Sequence, residues 1–460
     1  MDSADVLAAL WRDLKLPDEA LGRASLTGHD PVYPSSFPVA QLAQVSIAAV
    51  ALAAAELHRR RTGRPQSVSV NCRDAAIEFR SERYLRVDGG AAPELWDKIA
   101  GLYRCGDGAW VRIHTNFPHH RDGILKLLGC EHDRGSVERA LQAWTADRFE
   151  DAAAAAGLVA TKARTFAEWD AHPQSRAVAS LPLVSLERIT DGPKPVSAAG
   201  RRPLEGVRVL ELTRVLAGPI CGRVLAAHGA DSMRVISPHL PTIEPADIDT
   251  GRGKRSAYAD LTTETGTEDF RRLLSGSDVF VQSYRPGAIE SRGFGPSAAA
   301  RLRPGLIYVS LSAYGQAGPW AGRRGFDSLV QTASGLNFAE ADAAGEAQPR
   351  ALPCQALDHA SAYLMALGAL AALLRRLDEG GSWHVQVSLA RTALWLRSLG
   401  RVEKGFEAPE TGFDQVGDRL EASPSGYGEL SAIRHAAVLT ETPARWTQPS
   451  MPFGAHPPRW

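Results

Sequence analysis

The chain has 460 residues, of which 44% are hydrophobic and 23% charged, and its formal net charge is zero. This length allows two or three domains with cores of their own, and the balanced charge argues against a nucleic-acid or membrane-surface protein. The five cysteines are scattered, so we expect reduced thiols, no metal site and a cytoplasmic location. The longest apolar runs, 45–55 and 363–374, are shorter than the roughly 20 residues of a membrane span.

The first 200 residues have a less regular pattern than the rest, and they predict a smaller α+β domain at about 85–190. The stretch 101–115 indicates a hairpin around Asp107 and Gly108, because Asp-Gly favours a tight turn. Helices are predicted over 121–128, 137–147 and 150–156.

Proline and glycine punctuate 190–206 and divide the chain near its middle. The following pattern alternates strands and helices, which is typical of an α/β domain with a doubly wound parallel sheet, here assigned to 201–400. The remainder, 401–460, is interpreted as a Pro-rich C-terminal tail. The predicted strands are 207–212, 232–236, 256–261, 278–284 and 306–311, with helices over 219–228, 268–274 and 296–302. Ligands of such sheets bind at the C-terminal ends of the strands.

Two distant segments, 48–79 and 367–396, resemble each other. Each has an Ala-rich helix, basic residues, a Gly-containing turn, a strand that alternates on valine and a second helix, so a helix repeat is expected over about 40–80. Alignment of the two copies places Gln41 opposite Asp358.

Asp358 stands at the start of an apolar helical stretch. Aspartate is a favoured N-cap, because its carboxylate accepts hydrogen bonds from the first N–H groups of a helix. The other copy has no capping residue there, which weakens that explanation without excluding it. A cap and a functional carboxylate both stay open at this point.

Three segments of the second half resemble the family III CoA-transferases, the CaiB/BaiF superfamily of formyl-CoA and carnitine CoA-transferases and α-methylacyl-CoA racemase. They are GVRVLELTRVLAGPICGRVLAAHGADSMRV, the run from DLTTETG to TASGL, and ALDHASAYLMALGALAALLRR with WHVQVSLARTAL. Region 1–200 resembles the family's C-terminal half, through YRCGDGAWVRIHTNFPHH and AAAAAGLVATKARTFAEWD. The family halves therefore stand in a permuted or fused order.

The resemblance implies a Rossmann-like sheet domain and an enzyme that moves CoA from an acyl-CoA to a small carboxylic acid. Asp358 would be the nucleophile of an aspartyl covalent intermediate, kept ionised by the helix N-terminus. Acyl-CoA would be a substrate, with no permanently bound cofactor, and the family's interlocked dimers imply a homodimer. The matching CoA-binding positions are Val215, Leu216, Ala217, Lys254, Arg255, Ser283, Tyr284, Arg285, Arg323 and Arg324.

Departures from the family pattern leave alternatives. Leu216 stands where formyl-CoA transferases have glutamine, which argues against formyl or oxalyl substrates. An acyl-CoA racemase needs acid/base groups on both sides of the α-carbon, but Phe326 occupies the histidine position of that branch. A non-catalytic CoA-binding protein is a third possibility, suggested by the permuted order and the altered first copy.

Overall fold

The structure, a computed structural model, describes residues 1–91, 94–195 and 200–460. Its α-helices are α1 Ser3–Asp13, α2 Val39–Thr62, α3 Cys72–Glu78, α4 Ser81–Tyr84, α5 Pro118–Leu128, α6 Arg134–Leu141, α7 Ala146–Ala155, α8 Phe166–Ala171, α9 Pro173–Ala179, α10 Ala217–Ala227, α11 Glu244–Thr250, α12 Glu264–Ser275, α13 Pro296–Leu302, α14 Asp327–Ala333, α15 Leu336–Ala344, α16 Ala356–Glu379 and α17 Leu389–Ser398. Its strands are β1 Ala24–Thr27, β2 Val68–Asn71, β3 Arg86–Val87, β4 Gly90–Ala91, β5 Gly101–Arg104, β6 Trp110–Ile113, β7 Ala160–Lys162, β8 Ser185–Thr190, β9 Arg208–Leu212, β10 Asp231–Ile236, β11 Lys254–Tyr258, β12 Val279–Gln282, β13 Ile307–Ser312, β14 Ser382–Ser388, β15 Leu420–Ser425, β16 Gly428–Ile433 and β17 Ala437–Leu439. Short 3-10 helices cover Asp18–Arg23, Glu290–Arg292, Gly405–Glu407, Phe413–Gln415 and Gly417–Arg419.

The largest sheet has seven strands in the order β11-β10-β9-β12-β13-β14-β8. All pairs are parallel except β14 with β8. After the edge strand β8, the chain continues at β9 in the middle, builds one side through β10 and β11, and then crosses to β12 on the other side. The five strands predicted between 207 and 311 are confirmed, and their ends differ from the predicted ones by three residues at most.

Two cores cover the two faces of this sheet. Val279 and Val281 of β12 pack in the core that also contains α10 and α16, whereas Phe280 packs with Phe270 and Leu273 of α12. Burial on both faces is typical of parallel sheets, and it explains why β12 and β13 are buried along their whole length.

The helices α2 and α16 have 24 residues each and pack against each other in the core. β2 and α3 follow the first and β14 and α17 the second, so the two segments have the same order of elements. The two apolar runs judged too short for a membrane span are parts of these helices, which are long and apolar enough to cross one. Their apolar stretches are 94% and 100% buried inside the protein, as expected for core helices.

A small antiparallel sheet, β5-β6-β7, lies within the first half, and the predicted hairpin joins β5 to β6. The helix predicted over 137–147 is wrong, because α6 ends at Leu141 and α7 begins at Ala146. The carbonyls of Leu141 and Trp144 both accept from the Gly106 N–H, and the Thr145 side chain caps α7. A contact from the hairpin therefore interrupts the helical pattern.

The segment 401–460, interpreted as a tail, forms strands that pair with the first half. β16 pairs with β3, and β17 pairs with β2. In the other direction, β8 of the first half extends the large sheet beside β14. The boundary drawn at 200/201 therefore does not separate two independent units, and part of the predicted linker, 196–199, lies outside the described residues.

Candidate functional site

A cavity of about 620 Å³ opens at the C-terminal ends of the parallel strands. It is called the main cavity below. One or more residues at or just after the end of each parallel strand line it, among them Leu212, Ser237, Ala259, Ser283, Ser312 and Leu389. This is the position that the strand pattern predicts for a ligand.

Asp358 lines the main cavity from the first turn of α16, and 8% of its surface is exposed. Its carboxylate does not cap the helix. Asp327 does so from α14: its Oδ2 accepts hydrogen bonds from the N–H groups of Leu357 at 2.8 Å and of Asp358 at 2.9 Å. Within the described parts of the chain, no donor bonds the Asp358 carboxylate, which leaves it free for a ligand.

The electrostatic surroundings of Asp358 favour its neutral form. Burial raises its pKa well above the usual value, and the neighbouring Asp327 and Glu82 raise it further. Burial also raises the pKa of Asp327 to about 6. The expectation that the helix N-terminus keeps Asp358 ionised is therefore wrong, because desolvation and two nearby carboxylates oppose the dipole.

Glu82 is held in place by His359, whose Nε2 lies 3.1 Å from Glu82 Oε2. Burial favours the neutral form of Glu82, but the charge and hydrogen bond of His359 lower its pKa below the ordinary value. Phe79 stacks on the His359 ring at 5.1 Å between centroids. The His359 side chain, next to Asp358 in the chain, thus contacts Glu82 of the first half and does not line the main cavity.

Eight of the ten predicted CoA-binding residues line the main cavity: Val215, Leu216, Ala217, Ser283, Tyr284, Arg285, Arg323 and Arg324. Lys254 and Arg255 do not line it. The Lys254 ammonium is buried in an ion pair with Glu211 at 2.8 Å, so it has no free charge for a phosphate. Arg255 pairs with Asp231 at 2.8 Å. Both residues lie on β11, an edge strand of the large sheet, and their contacts with CoA stay predictions.

The turn after β9 brings backbone close to the cavity. Val215 has φ +71°, a conformation that a β-branched residue rarely adopts and that commonly marks a functional turn. At Gly218, an added Cβ would lie 2.7 Å from Ser283 Oγ, so only glycine allows α10 to approach β12 here. The N-terminus of α10 therefore borders the cavity closely, in an arrangement that suits anions.

Four arginines on the wall of the main cavity form no ion pair with any described carboxylate: Arg214, Arg285, Arg292 and Arg324. Burial lowers the pKa of Arg324, and the nearby positive charge of Arg285 lowers it further. Arg323 differs, because it lies 3.6 Å from Glu150 and stacks on Trp320. Unpaired cations of this kind at a cavity favour a polyanionic ligand.

The first half supplies a wall that the sequence analysis missed. Phe117, His119 and His120, from the start of α5, line the main cavity. A smaller cavity of about 50 Å³, called the small cavity below, adjoins it and is lined by Glu82, Trp96, His114, Phe326 and Asp358 among others. The available signal was the aromatic and histidine-rich FPHH run directly after a strand.

The first copy of the repeat contains a counterpart of the Asp358 region. Asp30, in Gly28-His29-Asp30, accepts from the N–H of Gln41 at 2.7 Å, as Asp327 does for Asp358. The Gln41 amide itself donates to the carbonyl of Met1 at 2.8 Å. Contacts with the N-terminal residues therefore occupy the side chain that aligns with Asp358.

The chain is similar to known proteins over most of its length. A model of the family described as CoA-transferase family III matches residues 17–199 and 204–428 in two parts. The probable fatty acyl-CoA transferase Rv3272 of Mycobacterium tuberculosis is 35% identical over 43% of this chain and 53% of its own length. A succinate–glutarate CoA-transferase of Agrobacterium fabrum is 34% identical over 41% of this chain and 51% of its own length.

An acyl-CoA transferase of Gibberella moniliformis is 26% identical over 72% of this chain and 66% of its own length. Among solved structures, Rv3272 in its orthorhombic form shares 36% identity over 43% of this chain and 56% of that one, with a TM-score of 0.41. The chain spans 53% and 35% of the length of the first two curated relatives that it matches.

Proposed function

Because the chain belongs to CoA-transferase family III, we propose that it transfers CoA from an acyl-CoA to a carboxylic acid, with Asp358 as the nucleophile. The observation that carries the proposal is that one aspartate caps the helix α16 and a second aspartate, in the first turn of that helix, does not. Asp327 satisfies the helix N–H groups, so the Asp358 carboxylate stays unpaired at the cavity. A buried carboxylate without a partner is costly and therefore requires a reason.

The proposed reaction begins with the ionised Asp358 carboxylate. One oxygen attacks the thioester carbonyl, the C–S bond breaks, and a mixed anhydride and the CoA thiolate form. The thiolate then attacks the aspartyl carbonyl, which releases the free acid and leaves an aspartyl-CoA thioester. The acceptor carboxylate repeats the two steps in reverse order, so a new acyl-CoA and the free Asp358 carboxylate result.

The main cavity fits CoA through its charge and position. The four unpaired arginines offer guanidinium groups to the phosphates, and the α10 N-terminus adds its dipole. We further propose that the large sheet is a doubly wound, Rossmann-like domain with a smaller α+β domain, because its strand order reverses at β9 and β12. A homodimer and a cytoplasmic location stay proposals that rest on the family resemblance and on the composition.

Trapping tests the nucleophile directly. The protein is mixed with an acyl-CoA and hydroxylamine, digested and analysed by mass spectrometry. We expect a hydroxamate on Asp358, with Asp327 unmodified as an internal control, since its Oδ2 holds the helix N–H groups. A modified Asp327 or an unmodified Asp358 under conditions of turnover would refute the assignment.

Racemisation is the second candidate, because histidines of the first half lie beside Phe326. The His114 ring stacks on Phe326 at 3.9 Å between centroids. However, burial lowers the pKa of His114 to about 3 and that of His120 to about 3, so neither is a strong enough base for an α-proton. We expect no deuterium uptake at the α-carbon of 2-methylacyl-CoA in D₂O. Rapid uptake that is lost in Asp358→Ala would favour the racemase.

A further inference from the structure

We infer that the small cavity receives the acyl group and selects a short, uncharged acyl chain that carries a hydrogen-bonding substituent such as a hydroxyl. This inference rests on the proposed function, and it concerns the substrate class of the same site. Four residues line both the small and the main cavity: Val215, Leu216, Phe326 and Asp358. A thioester carbon held at Asp358 therefore has one cavity on each side, and only the main one is large enough for CoA.

The size of the small cavity limits the acyl chain. Its volume is about 50 Å³, and a water-sized atom needs about 10–15 Å³ of such space, so it has room for roughly three to five non-hydrogen atoms. One wall is an aromatic stack in which Trp96 meets the His114 ring edge-on at 5.6 Å and His114 lies flat on Phe326. A long apolar chain would have to displace this stack.

The polar atoms of the small cavity point to a substituent that forms hydrogen bonds. Ser328 Oγ and His114 Nδ1 are buried and have no partner among the described residues, and both residues line the cavity. Buried polar atoms without partners are uncommon in proteins, because each loses the hydrogen bonds that water would provide. His114 is neutral at pH 7, since burial lowers its pKa to about 3, so its ring offers one donor and one acceptor.

The charges around the small cavity disfavour a second carboxylate on the acyl group. Glu82, Asp327 and Asp358 all line it, whereas Arg83 is the one arginine or lysine among its described lining residues. The Arg83 guanidinium is already bonded to the Pro353 carbonyl at 2.9 Å and lies 3.8 Å from Glu82. A dicarboxylic acyl group would therefore meet three carboxyl groups and one engaged cation.

The test compares four acyl-CoAs, namely 3-hydroxybutyryl-, butyryl-, succinyl- and octanoyl-CoA, in two assays. The first is kcat/KM for CoA transfer by the wild-type protein, and the second is the dissociation constant with Asp358→Asn, which binds without turnover. For 3-hydroxybutyryl-CoA we expect kcat/KM to be about tenfold higher, and the dissociation constant about tenfold lower, than for butyryl-CoA, which is the effect of one hydrogen bond. For succinyl- and octanoyl-CoA, kcat/KM should be at least about tenfold lower, and the dissociation constant at least about tenfold higher, than for butyryl-CoA.

Two variants locate the selectivity. Ser328→Ala and His114→Phe should each reduce the preference for the hydroxylated chain, and His114→Phe keeps the aromatic stack. The matched control is Ser232→Ala, because Ser232 Oγ is likewise buried without a partner but lies outside the cavity. The Ser232→Ala variant should prefer the hydroxylated acyl chain as strongly as the wild type does.

The two proposals fail in different ways. Transfer with octanoyl- or succinyl-CoA as the best donor, or a preference unchanged in both variants, overturns the acyl-group inference and leaves the transferase intact. Selective binding to Asp358→Asn without transfer by the wild type overturns the proposed function and supports the acyl-group inference.

Discussion

Asp358 and Asp327 show how two neighbouring carboxyl groups divide two tasks that one aspartate often combines. The Asp327 carboxylate accepts hydrogen bonds from the first N–H groups of α16. The Asp358 carboxylate therefore stays free at the cavity. Burial raises the pKa of both groups, and the charges of Asp327 and Glu82 raise that of Asp358 further. Function at this position therefore costs stability at neutral pH.

Asp358→Asn should abolish transfer and stabilise the folded protein. Loss of the nucleophile is expected to reduce kcat by at least about a thousandfold. A carboxyl whose pKa is raised on folding loses stability as the pH rises from its unfolded value towards its folded value. Removal of that group should therefore increase the free energy of unfolding at pH 7 by about 1 kcal/mol or more, and the Tm should rise accordingly.

The same linkage predicts that the difference in Tm between Asp358→Asn and the wild type shrinks at pH 5, because this pH lies closer to the pKa of an aspartate in the unfolded chain. Acyl exchange and thermal unfolding at both pH values check this. Wild-type exchange in the variant, or a lower Tm at pH 7, would contradict the roles assigned here.

The pH profile of transfer should have an acidic limb that lies above the ordinary aspartate range, because Asp358 must lose its proton to attack. In Asp327→Asn, a nearby negative charge is lost, so the pKa of Asp358 falls and the limb moves to lower pH. The exposed Asp342→Asn is the control, and its limb should not move. An unchanged limb in Asp327→Asn would show that the two carboxyls do not interact.

At the scale of elements, α2 and α16 belong to two copies of one unit, and the copies differ at the third residue of the helix. Each follows an aspartate that accepts from its first N–H groups, and each is followed by a strand and a helix. In α16 the third residue is the carboxylate at the cavity. In α2 it is Gln41, which bonds the N-terminal segment. The first copy thus retains the packing of the unit and lacks the carboxylate.

Gln41→Ala should leave kcat/KM within about twofold of the wild type, because the residue has no contact with the main cavity. Loss of the hydrogen bond to Met1 should cost about 1 kcal/mol of unfolding free energy or less. Steady-state transfer and thermal unfolding measure the two effects. A loss of activity comparable to that of Asp358→Asn would show that the first copy takes part in the chemistry.

At the scale of the whole molecule, the two halves are interleaved. The first half contributes β8 to the large sheet and Glu82 to the ion pair beside Asp358. The last residues contribute β16 and β17 to the sheets of the first half. The cavity that the proposed function needs is therefore built by segments from both halves.

Calorimetric unfolding should show one cooperative transition, because neither half keeps its core without the other. α2 and α16 share one hydrophobic core, and separation of the halves would expose both helices. The disruptive variant Gly368→Leu should lower this single Tm, since even a Cβ at Gly368 would lie 2.4 Å from Val385 on the large sheet. Two resolved transitions would contradict the shared core.

The sequence by itself determined the features that depend on local patterns. The alternation of strands and helices after residue 206 predicted the strands that form the parallel part of the large sheet, since hydrophobic periodicity follows from backbone geometry. The repeat and the motif around Asp358 were recognisable because they are contiguous. The turn after β9 was recognisable for the same reason, and its residues line the cavity.

Only the tertiary structure decided the features that depend on residues far apart in the chain. Lys254 resembled a phosphate ligand in the sequence, but in the interior its ammonium pairs with Glu211 of β9, two strands away in the sheet. Asp327 became the partner of the α16 N-terminus across a loop, which left Asp358 free. His114 reached the site from the other half. Long-range packing sets the partner of a charged group and hence its availability, and a linear pattern does not encode that partner.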